Sequence, residues 1–226
     1  MGEHILPGDP PIAVTLRRSA QARRISLRVS AVDGRVTLTL PRGLPEREAL
    51  DFARSKQSWL QGHLEDRAPH VRVAPGADIP VEGQVYRLEA GSGRRVTATQ
   101  DTLLVPGGQP ARLQAWLKTL ARDRLVTASD RYSAALGRPY SRITLRDTRS
   151  RWGSCSSTAG LSYSWRLIMA PPDVLDYVAA HEVAHLEQMN HSPAFWAVVA
   201  ELMPEYETHR SWLRIHGTGL HRYRFD

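Results

Sequence analysis

The chain has 226 residues, 42% of them hydrophobic and 23% charged, with a formal net charge of +7. That balance excludes a disordered tail and is enough for one large domain or two small ones. The positive excess is almost all arginine; it favours polyanions such as nucleic acid, and the codon bias of a GC-rich genome produces the same excess. Cys155 is the single cysteine, so no internal disulfide can form, and no apolar run approaches 18 residues. A soluble cytoplasmic protein with no signal segment and no membrane span is the expectation.

Residues 1 to about 11 are polar and contain prolines, and are expected to lead loosely into the fold. Ile25, Leu27 and Val29 then alternate with polar residues, Asp33-Gly34 reads as a turn, and Val36, Leu38 and Leu40 resume the alternation: a β-hairpin. Pro45 to about Leu64 shows a helical period. From Ala68 to Gly108 the texture is short strands and turns, and Pro106-Gly-Gly-Gln-Pro110 reads as the domain boundary, giving a β-rich region with one helix at 1–108 and a second domain at 109–226. A long helix is expected from about Ala111 to Leu136, with Gly137 past its end. Ser141–Arg151 and Leu161–Leu167 read as paired strands around a turn at Ser154–Gly160. An exposed edge of such a sheet can take up an extended peptide as another strand.

The next stretch carries the chemistry. His181-Glu182-Val-Ala-His185 is an H-E-x-x-H motif. Pro171 and Pro172 fit a helix start, and Leu175, Val178, Ala179, Val183 and Leu186 recur at helical spacing. On a helix, residues four apart share a face, so His181 and His185 can hold one ion, for which zinc is suited. Glu182, one step round, is placed to take a proton from water activated by the ion. Asn190 reads as the helix stop, and Ser192-Pro193 as the cap and first position of another helix. A catalytic zinc usually takes three protein ligands. His191, on the bend, and Glu201, on the following helix, are the two contenders for the third; Glu187 lies off the face of His185. Two packed histidines with no ion are the plain alternative.

A donor for a developing oxyanion is also expected, and Arg149, Arg151, Tyr163 and Tyr206 are candidates, with Trp152 as a cleft wall. Cys155 reads as a small buried thiol, with redox or ligand roles as rivals. His209, His216 and His221, among arginines, read as a solvated basic tail anchored by Trp212 and Leu213.

Two motifs together resemble a family. Arg151-Trp-Gly-Ser-Cys-Ser156 followed by Trp165-Arg-Leu-Ile168, and Tyr177-Val-x-x-His181-Glu182-x-x-His185 with Asn190-His-Ser-x-x-Phe-Trp196, look like the YgjP-like metallopeptidases, relatives of the WLM and SprT-like groups. Arg23-Arg-Ile-Ser-Leu-Arg28 and the helix with Ser55-Lys56 and Trp59 extend the likeness toward the N-terminus. The resemblance implies an α+β fold: a zincin-like catalytic domain with an active-site helix and a small antiparallel sheet, after a β-rich N-terminal region. It implies one zinc ion on His181, His185 and His191, with Glu182 as general base and a protein or peptide as substrate; Arg149, Arg151, Trp152 and Tyr163 are the substrate-binding candidates. Two other readings stay open. One is a metal-dependent phosphoanhydride hydrolase that clamps phosphates with Arg146, Arg149 and Arg151. The other is a nucleic-acid-binding module with a vestigial metal site and the basic hairpin as its contact surface.

Overall fold

The computed structural model describes residues 2–8, 10–30, 33–65 and 69–226. The chain divides into two compact units, Met1–Pro69 and His70–Asp226.

In the first unit, β1 (Gly2–Leu6) pairs antiparallel with β2 (Ile12–Ser19), and β3 (Ser26–Val29) pairs antiparallel with β4 (Val36–Pro41). β2 runs parallel to β4, so the sheet order is β1-β2-β4-β3. The expected hairpin is there, and at its Asp33-Gly34 turn Gly34 N–H donates to the Ser30 carbonyl at 2.8 Å; residues 31 and 32 lie outside the described residues. β1 was not expected: the stretch read as a loose lead-in is a strand, of which only Leu6 is buried. Alternate residues of β2 and β4 point inward, as a two-residue period demands, and pack on Ala49, Ala53 and Leu60. These last come from α1 (Glu46–Ser55) and α2 (Gln57–Glu65). The helix expected over 45–64 is thus broken at Lys56, whose N–H turns back to the Ala53 carbonyl.

The second unit opens with β5 (Val71–Arg72) and a four-stranded sheet of β6 (Asp78–Val81), β7 (Gln84–Gly91), β8 (Thr97–Ala98) and β9 (Thr102–Pro106), in the order β6-β7-β9-β8. The helix α3 (Pro110–Leu136) follows, and its expected stop is present: Gly137 has φ 68°, the left-handed conformation that glycine adopts without cost. Val81, Leu88 and Leu103 from the sheet share one core with Leu113 and Leu117 of α3 and with Val178 and Phe195 further on. The stretch 106–110 therefore lies inside this unit.

A second small sheet contains β10 (Arg142–Arg146), β11 (Gly153–Cys155) and β12 (Gly160–Ser164), in the order β10-β12-β11. Its pairing differs from the expected antiparallel pair. β10 runs parallel to β12, and β11, inside the stretch expected to be loop and turn, pairs antiparallel with the other edge of β12. The fold is α+β, as the sequence implied. A 3₁₀ helix, Trp165–Met169, leads to α4 (Pro172–Ala184), with Pro171 as its cap. The tight β6–β7 turn braces this start: Glu82 N–H donates to the Ile168 carbonyl at 2.7 Å, and a Cβ on Gly83 would lie 3.1 Å from Pro171 Cα.

After α4 come α5 (Pro193–Leu202) and α6 (Tyr206–His216), a 3₁₀ helix Gly217–Arg222, and β13 (Tyr223–Arg224), which pairs parallel with β5. The basic stretch is an ordered helix and strand: Leu213 is buried, as expected of an anchor, and Arg210, Arg214 and His216 are exposed, whereas His221 is buried. Tyr206, Arg210, Leu213, Arg214 and Gly217 fall at i, i+4, i+7, i+8 and i+11, one helical face that the arginines disguised. Among the described residues, no helix is long and apolar enough to cross a membrane.

Candidate metal centre and its cleft

α4 ends at Ala184, with His185 as its cap in still-helical backbone (φ −66°, ψ −16°), so the i, i+4 relation of His181 and His185 survives. Their ring centroids lie 5.1 Å apart. Asn190 does not stop this helix; its Oδ1 accepts from Ser192 N–H at 3.1 Å, a local turn that brings the chain back at His191. Ser192 caps α5 as expected, its Oγ accepting from Phe195 N–H.

His181, His185 and His191 converge, each offering a nitrogen within 4.8 Å of the others. The Nε2 atoms of His181 and His191 are 3.1 Å apart. Two nitrogens about 2.1 Å from one ion at the tetrahedral angle lie about 3.4 Å apart, so the spacing suits zinc. His185 Nδ1 lies 2.9 Å from the Gln188 carbonyl. A carbonyl can only accept, so Nδ1 carries the proton and Nε2 is left as the free lone pair. Phe195, fully buried, touches all three rings, with centroids 4.9, 4.4 and 4.9 Å from His181, His185 and His191. In the sequence Phe195 has no role beyond its place in the Asn190-His-Ser-x-x-Phe-Trp196 motif; its packing against the imidazoles was missed, and the nearness of Ser192-Pro193 to the H-E-x-x-H motif was the available signal. Burial, with His185 and His191 beside it, lowers the His181 pKa to about 3, and burial also lowers that of His185. Both are neutral near pH 7, as metal ligands must be.

Glu182 is 5% exposed. Burial raises its pKa to about 8 against the opposing pull of Arg151 and a hydrogen bond from the Cys155 backbone N–H. Its Oε2 and the Nδ1 of His181 are buried with no hydrogen-bond partner among the described residues. Gly153 makes this carboxylate's seat: a Cβ there would come within 2.5 Å of Glu182 Oε1 and 2.6 Å of its Cγ. The glycine of the Arg151-Trp-Gly motif is required by close approach, and the three-residue β11 delivers it.

A cleft of about 590 Å³ fronts the cluster, lined by Arg151, Trp152, Cys155, Tyr177, Arg210 and Arg214 among others. Trp152 is held from behind: its ring stacks on His221 at 5.1 Å, and a Cβ on Gly217 would lie 3.0 Å from it. Arg210 lies over the Trp196 ring at 4.3 Å. Cys155, half-buried, has its thiol pKa raised by burial and by Glu182.

The other sequence candidates fall elsewhere. Tyr163 is core: it is 1% exposed, its hydroxyl is 3.0 Å from Ser129 Oγ, and burial pushes its pKa up. β12 turns alternate residues inward, and Tyr163 is one of them. Arg149 is not among the residues lining the cleft. Tyr206 stacks on Trp196 at 5.4 Å. Glu201 is exposed on α5 and outside the cluster, and Glu187 pairs with Arg138 at 3.3 Å.

An α+β chain with three histidines converging beside a buried carboxylate has the make-up of a metallopeptidase. The model of the YgjP-like metallopeptidase domain matches residues 23–216, and the chain belongs to that family. Among curated proteins no match is found. Solved structures similar to part of the chain include the metallopeptidase zymogen of Pyrococcus abyssi abylysin, 21% identical over 43% of this chain and 92% of that one, with a TM-score of 0.35. The metallopeptidase zymogen of Methanocaldococcus jannaschii jannalysin is 18% identical over 41% and 94%, also with a TM-score of 0.35.

Proposed function

We propose that this metallopeptidase cleaves protein or peptide substrates with one zinc ion held by His181, His185 and His191, and with Glu182 as the general base. The convergence of three imidazole nitrogens within 4.8 Å is the observation that carries the reading. Zinc in such a site acts as a Lewis acid, polarising the scissile carbonyl and making water a nucleophile at neutral pH.

The residues supply the rest. Glu182, held by the Cys155 N–H and backed by Gly153, keeps Oε2 unpartnered. That atom takes the proton of the attacking water and passes it to the leaving amine. β11, an edge strand, offers its backbone to an extended substrate, which adds as a further strand beside Glu182. Arg151, Arg210 and Arg214 line the cleft and are the donors on hand for a developing oxyanion, and Trp152 forms its wall. The residues of this mechanism all fall within 109–226, the catalytic stretch the sequence pointed to. Its single cysteine fits a reducing, cytoplasmic setting.

The test compares wild type with Glu182→Gln, each with metal content verified, on an unfolded protein, scoring new termini by mass spectrometry. Cleavage by wild type, lost in the variant and on chelation, is expected. Nucleoside triphosphate hydrolysis that depends on Glu182, with no peptide cleaved, would overturn the reading.

A further inference from the structure

The cleft is not closed at β11. A second groove, of about 390 Å³, covers the solvent face of the β10-β12-β11 sheet, and Arg151, Gly153 and Ser154 line both. The strand period sorts the residues: Ile143, Leu145 and Tyr163 pack with the core, whereas Arg142, Thr144, Arg146 and Ser162 line the groove, and Leu161, though buried, reaches its lining as well. The result is a floor of small hydroxyls rimmed by guanidinium groups. No Asp, Glu or aromatic residue is among those lining it.

What marks the groove is that its arginines gather on one face with no acid beside them in the lining. Arg87, Arg124, Arg131 and Arg138 each have a carboxylate partner, Asp78, Glu82, Asp176 and Glu187 respectively. Arg142 and Arg146 are exposed and, among the described residues, have no acid partner. Uncompensated arginines facing hydroxyls, on one side of a sheet, make an anion site, since guanidinium forks match carboxylates.

We propose that this groove holds an acidic stretch of the substrate protein, three to five residues from the bond presented to Glu182. The proposal rests on the peptidase reading. Continuity fixes the occupant: a chain lying along β11 that turns over Arg151 and Ser154 as it leaves the cleft enters the groove. From a strand added beside β11 across to β10 is about 14 Å, or about four residues of extended chain, which sets the distance from the cleaved bond. A single nucleic-acid strand is the weaker fit, because its bases stack on aromatic faces that this groove lacks.

Binding is read apart from turnover. Zinc-loaded, full-length Glu182→Gln is titrated, by fluorescence anisotropy at low salt, with a short labelled peptide rich in Asp and Glu and with its Asn/Gln counterpart. The acidic peptide should bind on the order of tenfold more tightly. Adding Arg142→Gln and Arg146→Gln should bring the two within about twofold, with an unchanged melting temperature. In the wild-type background, this pair should raise KM for acidic peptides and leave kcat alone, and cleavage maps should lose their acidic residues three to five positions away. Equal affinities, a preference that survives the double substitution, or an oligonucleotide that outcompetes the acidic peptide would overturn the groove assignment while the peptidase stands. An acidic preference with no peptide cleaved by wild type would overturn the peptidase reading instead.

Discussion

The second unit buries two polar clusters, and they are finished to opposite standards. Arg166, 6% exposed, has a partner for every nitrogen: Nε and Nη2 reach Asp147 at 2.6 and 3.2 Å, and Nη1 donates to the Leu220 and Tyr223 carbonyls, both at 3.1 Å. Its guanidinium also lies over the rings of Trp165 and Phe225, at 4.8 and 5.8 Å. Burial alone would raise the Asp147 pKa, but the Arg166 pairing outweighs it and holds it below the ordinary value. Glu182 is buried as deeply and His181 partly, yet each keeps a buried atom with no partner among the described residues. A buried polar group without a partner costs about 1 to 3 kcal/mol; Ser164 Oγ, Trp165 Nε1 and Arg222 Nε are open in the same way, but the Glu182 and His181 atoms lie at the histidine cluster and its cleft. The first cluster ties the C-terminal segment down; the second is left open to a ligand and to water.

Substitutions should separate the two. Glu182→Gln should lower turnover on the order of 10³-fold while metal content and unfolding midpoint hold or improve, because a buried carboxylate is exchanged for a neutral amide. Arg166→Ala should do the reverse kind of damage, costing about 3 to 5 kcal/mol in chemical unfolding followed by tryptophan fluorescence, since Asp147 and two carbonyls lose their partner. Arg166→Lys should recover only part, because an ammonium cannot form the two-pronged contact. A result in which Arg166→Ala unfolds like wild type would remove the contrast.

Gly153→Ala tests the seat of the open cluster. The added methyl displaces the Glu182 carboxylate, and activity should fall on the order of 10²-fold with zinc still bound, read by kinetics beside metal analysis.

The smallest effect is one of pH. His221, 5% exposed behind Trp152, has its pKa lowered to about 4 by burial and then by Arg166, Arg149 and Arg224, with Asp147 opposing. Its folded value lies below its unfolded value of about 6.5. The stability is therefore whole above pH 6.5 and drains away as the pH falls toward 4, by at most about 3 kcal/mol. His221→Phe, which keeps a ring against Trp152, should flatten that slope in urea midpoints taken across the range.

Legibility followed the range of each interaction. The metal helix, the Ser192 cap and the Gly137 stop were readable because each is written within a few residues of itself. β11 was not, since three residues carry no period, and its partner lies on the far side of a turn. Arg166 was quoted within a motif, but its partners come from 147, 220 and 223, a closure that no local pattern records. Lys56 breaks a helix with neither proline nor glycine to announce it. Arg210 and Arg214 are solvated, as expected, but that they line the cleft depends on where their helix packs, which composition does not record.

The pairing of β5 with β13 and the grip of Arg166 on Leu220 and Tyr223 also impose an order in time. A ribosome releases His181-Glu182-xx-His185 well before the segment that steadies Trp152 and completes the cleft wall. The cleft wall is therefore the last part of the second unit to be completed as the chain is made, after the histidine cluster it fronts.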